Sequence, residues 1–442
     1  MDDAANADSD SDDWRARLAL ASGADLGPAF RWLMASDALT LLALMVGQVA
    51  LPWWIATSGG AHDLSVYSVT VSAFAIVAMP LLSPLGDRMP KRRLAFLALC
   101  GFAIGSVGVA TLATLGIYRL HWLIALGALP VLAVAAIVPV LTSFSTELVP
   151  PADLGRAMGL QQSAQAAGRM VGPAIGGAVL GIAGIAASLW LNFALLVAAA
   201  WTSRRLPPGV PPSGARRAWA ADLRAGMRAN WSIPLERGWI LVNFLSWIFL
   251  FPAFTMLVPL KVQSLGLSGA WLGFAEAGLS LGMLAGSLGG AGWMVDRFGR
   301  FATRVGGAGV QGVALAVAGA TTSGPWLVAA FTVAGLMNAA MVLVGMGHRM
   351  LARPQAFRAR MVAGVVSITN IAQMIGPALA GIALLHAHVA TVFVAFGLIG
   401  ALFALGLALV PGYRAFMALD HEQVAGYYAR HWPQAFEEPA AD

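Results

Sequence analysis

Apolar residues along this 442-residue chain gather in long, nearly uninterrupted runs, without the period-2 alternation or half-polar stripes of soluble elements. The runs cover 31–57, 64–85, 94–117, 122–146, 157–180, 185–202, 238–260, 270–294, 304–322, 326–347, 361–384 and 389–410. About 20 helical residues cross the roughly 30 Å of hydrocarbon in a bilayer, and most of the runs reach that length. Lipid-facing segments must satisfy their own backbone hydrogen bonds, and these runs are too apolar for barrel strands. Twelve transmembrane helices are therefore predicted, an all-α polytopic membrane protein. Gly and Pro recur inside the runs, as helix bundles in membranes tolerate.

Polar stretches divide the chain into two sets of six helices. Residues 1–28, opening "MDDAANADSDSDDWRAR", read as a disordered tail, and they lack the basic start of a cleaved signal peptide. Two six-helix bundles are expected over 29–202 and 238–411, joined by the polar connection 203–237, with a second tail over 412–442. In the connection Trp219, Leu223, Met227 and Trp231 recur every four residues, with Arg217, Arg224 and Arg228 on a neighbouring face. That pattern predicts a helix lying in the lipid headgroups or against the inner face of the bundle. Tyr413, Met417, Val424 and Tyr428 allow the same two readings for the second tail.

Charge orients the array. With both ends inside, the outer loops hold only Arg119 and Lys261, while the inner segments hold nearly all other basic residues, from Arg88, Lys91, Arg92 and Arg93 to Arg349, Arg353, Arg358 and Arg360. Cytoplasmic loops of membrane proteins carry such an excess, so both termini are expected in the cytoplasm. Hydrophobic residues make up 59% of the chain and charged ones 11%, about half of what a soluble surface needs. The basic pI thus comes from loop arginines and implies no nucleic-acid partner. Of 27 basic residues only Lys91 and Lys261 are lysines, which with abundant Ala and Gly suggests a GC-rich bacterial genome and an inner (plasma) membrane location. A single cysteine, Cys100, allows no internal disulfide. No P-loop, H-E-x-x-H or G-x-S-x-G occurs, and no histidine lies mid-span, so neither an enzyme nor a cofactor is expected. His386 and His388 lack a third ligand, so no metal site is expected.

Two internal repeats stand out. "LGDRMPKRR" (85–93) and "GWMVDRFGR" (292–300) place Asp87-Arg88 and Asp296-Arg297 after the second helix of each half. "RAMGLQQSAQAAGRMVGPAIGG" (156–177) aligns with "RMVAGVVSITNIAQMIGPALAG" (360–381), matching Arg156 to Arg360, Gly172-Pro173 to Gly376-Pro377 and Gly177 to Gly381. Repeated bundles around a central site are how many secondary transporters are built.

On these residues the chain resembles the major facilitator superfamily over essentially its whole length. "SPLGDRMPKRR" looks like that family's G-x-x-x-D-R-x-G-R-R signature with Ser83 and Pro90 in place of its glycines; the copy Gly292-x-x-x-Asp296-Arg297-x-Gly299-Arg300 fits without those departures. Gly159, Gly168, Gly172, Pro173, Gly176 and Gly177 reproduce the fifth-helix motif of its exporting, antiport-type members. Such a glycine stripe lets helices pack backbone to backbone, and Gly-Pro permits a bend. The arginine many exporters carry in helix 4 is missing, with no charge there before Glu147. "ALPWW" in helix 1 and the helix 5 segment are most similar to the branch of enterobactin-type siderophore exporters and drug efflux proteins.

The resemblance implies that the loop after helix 2 abuts the start of helix 11, and by the repeat that Asp296 faces helix 5. Asp87, Arg88, Arg92 and Arg360 on one side, and Asp296, Arg297, Arg300 and Arg156 on the other, would form two latches that close the inner face; the clusters would otherwise only fix topology. Asp37, Arg169 and Glu276 lie within predicted helices, where a charge costs about 2.5–3.5 kcal/mol on insertion scales and must face a cavity or a partner. Neighbouring helices 5 and 8 predict an Arg169–Glu276 pair. Asp37 and Glu276 are candidate proton-coupling acids; Asp37, two turns from the inner end, could instead simply be hydrated. Gln48, Gln161, Gln162, Gln165, Asn192, Asn243, Asn338, Asn370 and Gln373 could line the cavity or bond between helices. The expected activity is proton-coupled export of a small molecule by rocking of the two halves, in a monomer whose partners are substrate, protons and lipid. Uptake of a metabolite, or a non-transporting receptor on the same scaffold, are the alternatives.

Overall fold

The structure, a computed structural model, describes residues 26–82, 89–150, 153–208 and 219–437, and among them there is helix but no strand. Among the described residues, nine helical stretches are long and apolar enough to cross a bilayer. Three of them, Pro28–Ala78, Ala167–Ser203 and Gly269–Ala320, run to 51, 37 and 52 residues, too long for one passage. Each contains a glycine with positive φ, Gly60 (71°), Gly184 (83°) and Gly299 (80°), at which the helix is broken. Side-chain-bearing residues avoid that conformation, so these glycines carry the reversals.

Twelve crossings result. Crossings 1 and 2 are 28–59 and 61–82, crossing 3 is Lys91–Thr114 and crossing 4 is Leu120–Leu148. Crossings 5 and 6 are 154–183 and 185–203. Crossing 7 is Pro234–Thr255, extended by Leu257–Ser264. Crossing 8 starts with Gly269–Ala285, continues through a π-helical turn at Gly286–Gly290 and ends at 298; crossing 9 is 300–320. Crossings 10, 11 and 12 are Gly324–Ala352, Gln355–Leu384 and Val389–Leu405. An even number of crossings puts both termini and the connection between the halves at one end, here the terminal end; the reversals at Gly60 and Gly184 lie at the far end. Asp296 and Arg297, expected in a loop, lie instead on the last helical turn of crossing 8, because the chain turns only at Gly299.

The two halves repeat one packing scheme. Crossing 3 packs on 4 as 9 does on 10, 3 on 6 as 9 on 12, and 2 on 4 as 8 on 10. The repeated segments make equivalent contacts. Gly172 lies against Met45 of crossing 1, and Gly376 against Ile248 and Pro252 of crossing 7. Gly177 touches Gly273 of crossing 8 across the halves, and Gly381 touches Ser65 of crossing 2 across the halves.

The two polar segments pack on the terminal end of the second half. The linker helix Trp219–Ser232 rests on the start of crossing 11. Its docking face is not centred on the tryptophan stripe: Gly226 lies on the Arg360 carbonyl, Asn230 donates to the Met361 carbonyl at 2.9 Å, and Asp222 pairs with Arg360 at 2.9 Å. Only a glycine allows so close a backbone approach, and Trp231 stays 49% exposed. In the tail, Tyr413, Phe416, Met417, Val424 and Tyr428 are fully buried, in one apolar cluster with Ile233, Val305 and Met361. One signature arginine in each half ties down the chain leaving its bundle: Arg92 donates to the Leu206 carbonyl (3.3 Å) and Arg300 to the Leu419 carbonyl (3.1 Å).

Candidate functional site

The stripe on crossing 5 builds the centre of the molecule from two directions. Gly168, Gly172 and Gly176 draw crossing 5 onto Leu41, Met45 and Val46 of crossing 1. One turn toward the terminal end on that stripe stand Gln161 and Gln165, and the close approach brings both to Asp37. Gln161 Nε2 donates to Asp37 Oδ2 at 3.0 Å and Gln165 Nε2 to the same oxygen at 2.8 Å. Asp37 is only 8% exposed, so it is no hydrated terminal acid. A buried carboxylate needs such donors, and here neutral amides supply them.

On its other side crossing 5 forms the seam between halves. Gly177 and Gly181 lie against Gly273 and Ala270 of crossing 8. Nearer the middle Ser280 Oγ donates to the Arg169 carbonyl at 2.8 Å. The second seam joins crossings 2 and 11: Ser65 Oγ donates to the Pro377 carbonyl (2.8 Å) and Ser72 Oγ to the Gln373 carbonyl (3.4 Å). Residues 173–181, 269–273, 65 and 377–381 all belong to the far half of their crossings. Among the described residues, the contacts between the halves thus lie at the far end and the middle of these crossings.

The expected Arg169–Glu276 ion pair is absent among the described residues. The antiparallel seam sets Gly177 opposite Gly273 and Arg169 opposite Ser280, so Glu276 stands about one helical turn farther from the terminal end than Arg169. Each Cβ tilts toward the N-terminus of its own helix, and in antiparallel helices that sends these two side chains apart. Glu276 is half-buried and Arg169 exposed.

The remaining expected residues fall in several places. Asn243 and Asn338 line a cavity in the second half. Gln48 is exposed, and Asn192 bonds Ala43 and Ser106, stitching crossings 6, 1 and 3. Gln373 lends its carbonyl to the second seam, and Asn370 lies on the same helix. Asp296 and Arg297 are exposed and have no partner among the described residues. Asp87 and Arg88, and the surroundings of Arg156, Gly159 and Gln162, lie outside the described residues.

One cluster was not anticipated. Glu236, fully buried at the start of crossing 7, receives Arg349 Nε at 3.0 Å on Oε1, and Arg349 Nη2 and Arg353 Nη2 (2.8 Å) on Oε2. Arg349 stacks on Trp239, 3.4 Å from the ring centre. A signal existed: Arg349 and Arg353 stand four residues apart where crossing 10 ends, and Glu236 is one of the few acids near an apolar run.

Two repeated six-crossing halves that meet at their far ends, with buried polar groups within them, are the build of a secondary transporter. The sequence profile of the Major Facilitator Superfamily matches residues 33–347, and the chain belongs to that family. No protein of curated function matches it in sequence. Among solved structures, it is similar to the POT family transporter PepTSo, with TM-score 0.66, 12% identity, and 89% of this chain and 99% of that one covered. A bacterial homologue of the iron transporter ferroportin, in its inward-facing state, gives TM-score 0.65 at 14% identity, covering 88% and 99%. A bacterial homolog of the human lysosomal transporter Spinster, inward-facing and unoccupied, gives 0.61 at 16%, covering 93% and 98%. At these identities the likeness is one of fold.

Proposed function

We propose that this protein exports a small molecule, siderophore-type or drug-like, from the bacterial cytoplasm in exchange for protons. It works as a monomer in the inner membrane with both termini cytoplasmic. One observation carries the reading: the glycine-proline helix holds Asp37 on one flank and forms the far seam on the other. A change at Asp37 therefore acts on the same helix that closes the far side. As a carboxylate, Asp37 accepts from both glutamines on Oδ2; once protonated on Oδ1 it still accepts there, but without the charge that strengthened both hydrogen bonds. That weakening loosens crossing 1 from crossing 5 and gives protonation a route to the seam. Glu276, on the crossing 8 side of the seam, serves as the second acid.

In this orientation the described conformation faces the cytoplasm. The two latches belong to the opposite state, in which Asp296 meets Arg156 and Asp87 meets the start of crossing 11. Arg360, paired here with Asp222, exchanges partners as the inner side shuts.

Inverted membrane vesicles with an acidic interior test the proposal, with ethidium and a catecholate siderophore as probes. Accumulation that follows the gradient and is lost in Asp37→Asn is expected. Probe movement in the uptake direction, or equal accumulation in Asp37→Asn and Glu276→Gln, would remove export or the coupling role respectively.

A further inference from the structure

The second half contains a partly enclosed cavity of about 420 Å³, walled by crossings 7, 9, 10, 11 and 12. That is the size range of small-molecule sites. Three guanidinium groups reach its wall: Arg304, Arg349 and Arg353. Among the described residues the only carboxylate bonded to any of them is Glu236, and it is shared by Arg349 and Arg353. Three positive charges against one leave the cavity electropositive.

The imbalance is concentrated where groups are unpaired. Arg304 Nε and Arg353 Nε are buried with no hydrogen-bond partner, although Arg353 as a residue is only 4% exposed. The indole N–H groups of Trp239 and Trp247, both on the cavity wall, are also buried without acceptors. A desolvated guanidinium is costly unless an anion answers it, and every one of these orphan groups is a donor. The rest of the wall mixes apolar side chains, such as Leu250 and Val365, with the amides of Asn243 and Asn338.

We propose that this cavity binds an amphipathic small molecule by its anionic group, a carboxylate or phosphate. Arg304 meets the oxyanion, and the Glu236-held Arg349 and Arg353 supply the surrounding field. Guanidinium forks match planar oxyanions, and the indole N–H groups extend the donor set. The aromatic and branched residues take the apolar body. The inference rests on the carrier reading only in treating the ligand as cargo. The anion can come from dissolved cargo or from a lipid headgroup, whose chemistry is the same.

Calorimetric titration of the full-length protein in neutral maltoside detergent, without any gradient, separates this inference from the transport proposal. Naphthalene-2-carboxylate is expected to bind saturably and naphthalene-2-carboxamide not. Arg304→Gln, which leaves the Glu236 pairs intact, is expected to weaken carboxylate binding about tenfold, or about 1.4 kcal/mol. Glu236→Gln frees the other two arginines and is expected to tighten it; should that variant fail to fold, Arg304→Gln decides alone. Equal binding of carboxylate and carboxamide, or an unchanged affinity in Arg304→Gln, overturns the proposal. Displacement of the carboxylate by dioleoylphosphatidylglycerol but not by dioleoylphosphatidylcholine assigns the site to lipid; no displacement by either assigns it to dissolved cargo. Both outcomes uphold an anion site.

Discussion

A single methyl group on the far seam tests the rocking geometry. In Gly177→Ala the new Cβ overlaps Gly273 Cα and lies 2.9 Å from Gly273 N, where ordinary contacts begin near 3.4 Å. Both atoms are backbone, so neither can rotate away and the two helices must part. Overpacking of this kind costs about 1–3 kcal/mol. Here the cost falls only on the conformation with the far end closed, since the seam is the one contact disturbed. The population of that conformation relative to the opposite one should drop about 5- to 150-fold. Gly172→Ala supplies the contrast. Its Cβ would meet Met45 Cβ at 2.5 Å, inside the first half, so it should cost stability in both conformations and shift neither. Spin labels at Ile182 and Leu385, 89% and 67% exposed near the far ends of crossings 5 and 11, report the gap by pulsed electron resonance after Cys100→Ser. The expected result is a longer distance in Gly177→Ala and an unchanged distance with a lower Tm in Gly172→Ala. The same distance distribution in all three proteins, or the same lengthening in both variants, would refute the assignment of this seam as the moving contact.

Three further outcomes follow from the terminal end. Glu236→Ala strands two buried arginines, which should destabilise the protein by about 3–5 kcal/mol and be read as a large fall in detergent Tm. Burial pushes the hydroxyls of Tyr413 and Tyr428 above the ordinary tyrosine value, so their contribution to stability is intact below pH about 10 and is lost as pH rises beyond it. Tm should therefore decline between pH 9 and roughly 11, less steeply in Tyr428→Phe. Gly226→Val places a branched side chain on the Arg360 carbonyl and should undock the linker helix, seen as faster proteolysis within 219–232.

What could be read before any coordinates depended on how local the physics is. A twenty-residue apolar run is a local property, and twelve runs gave twelve crossings. The glycine stripe was legible because close helix approach tolerates only small residues, and the 204-residue register carried over to matched contacts at Gly172 and Gly376. The Arg169–Glu276 pair failed on direction. Depth along an axis can be counted from sequence, whereas the outcome depended on opposed Cβ tilts in an antiparallel pair. Glu236 was overlooked because its partners lie 113 and 117 residues away; the four-residue spacing of Arg349 and Arg353 hints at a shared partner but does not say which acid supplies it. The linker's docking face was hidden by its tryptophans, since backbone proximity at Gly226 outweighed side-chain hydrophobicity.

The duplicated frame sharpens what differs between the halves. Adding the 204-residue register to Gln161 and Gln165 gives Val365 and Thr369 on crossing 11. In the first half those positions are filled by two amides closed on Asp37; in the second their counterparts line the arginine-walled cavity. The same level of the same fold therefore carries an acid satisfied from within on one side, and donors lacking acceptors on the other. An internally satisfied acid can change its proton count without a ligand, whereas a surplus of buried donors is relieved only by something that enters. The proposed coupling acid Asp37 and the proposed anion cavity thus occupy matched levels of the two halves, and that difference assigns the ligand to the second half while leaving Asp37 free to titrate without one.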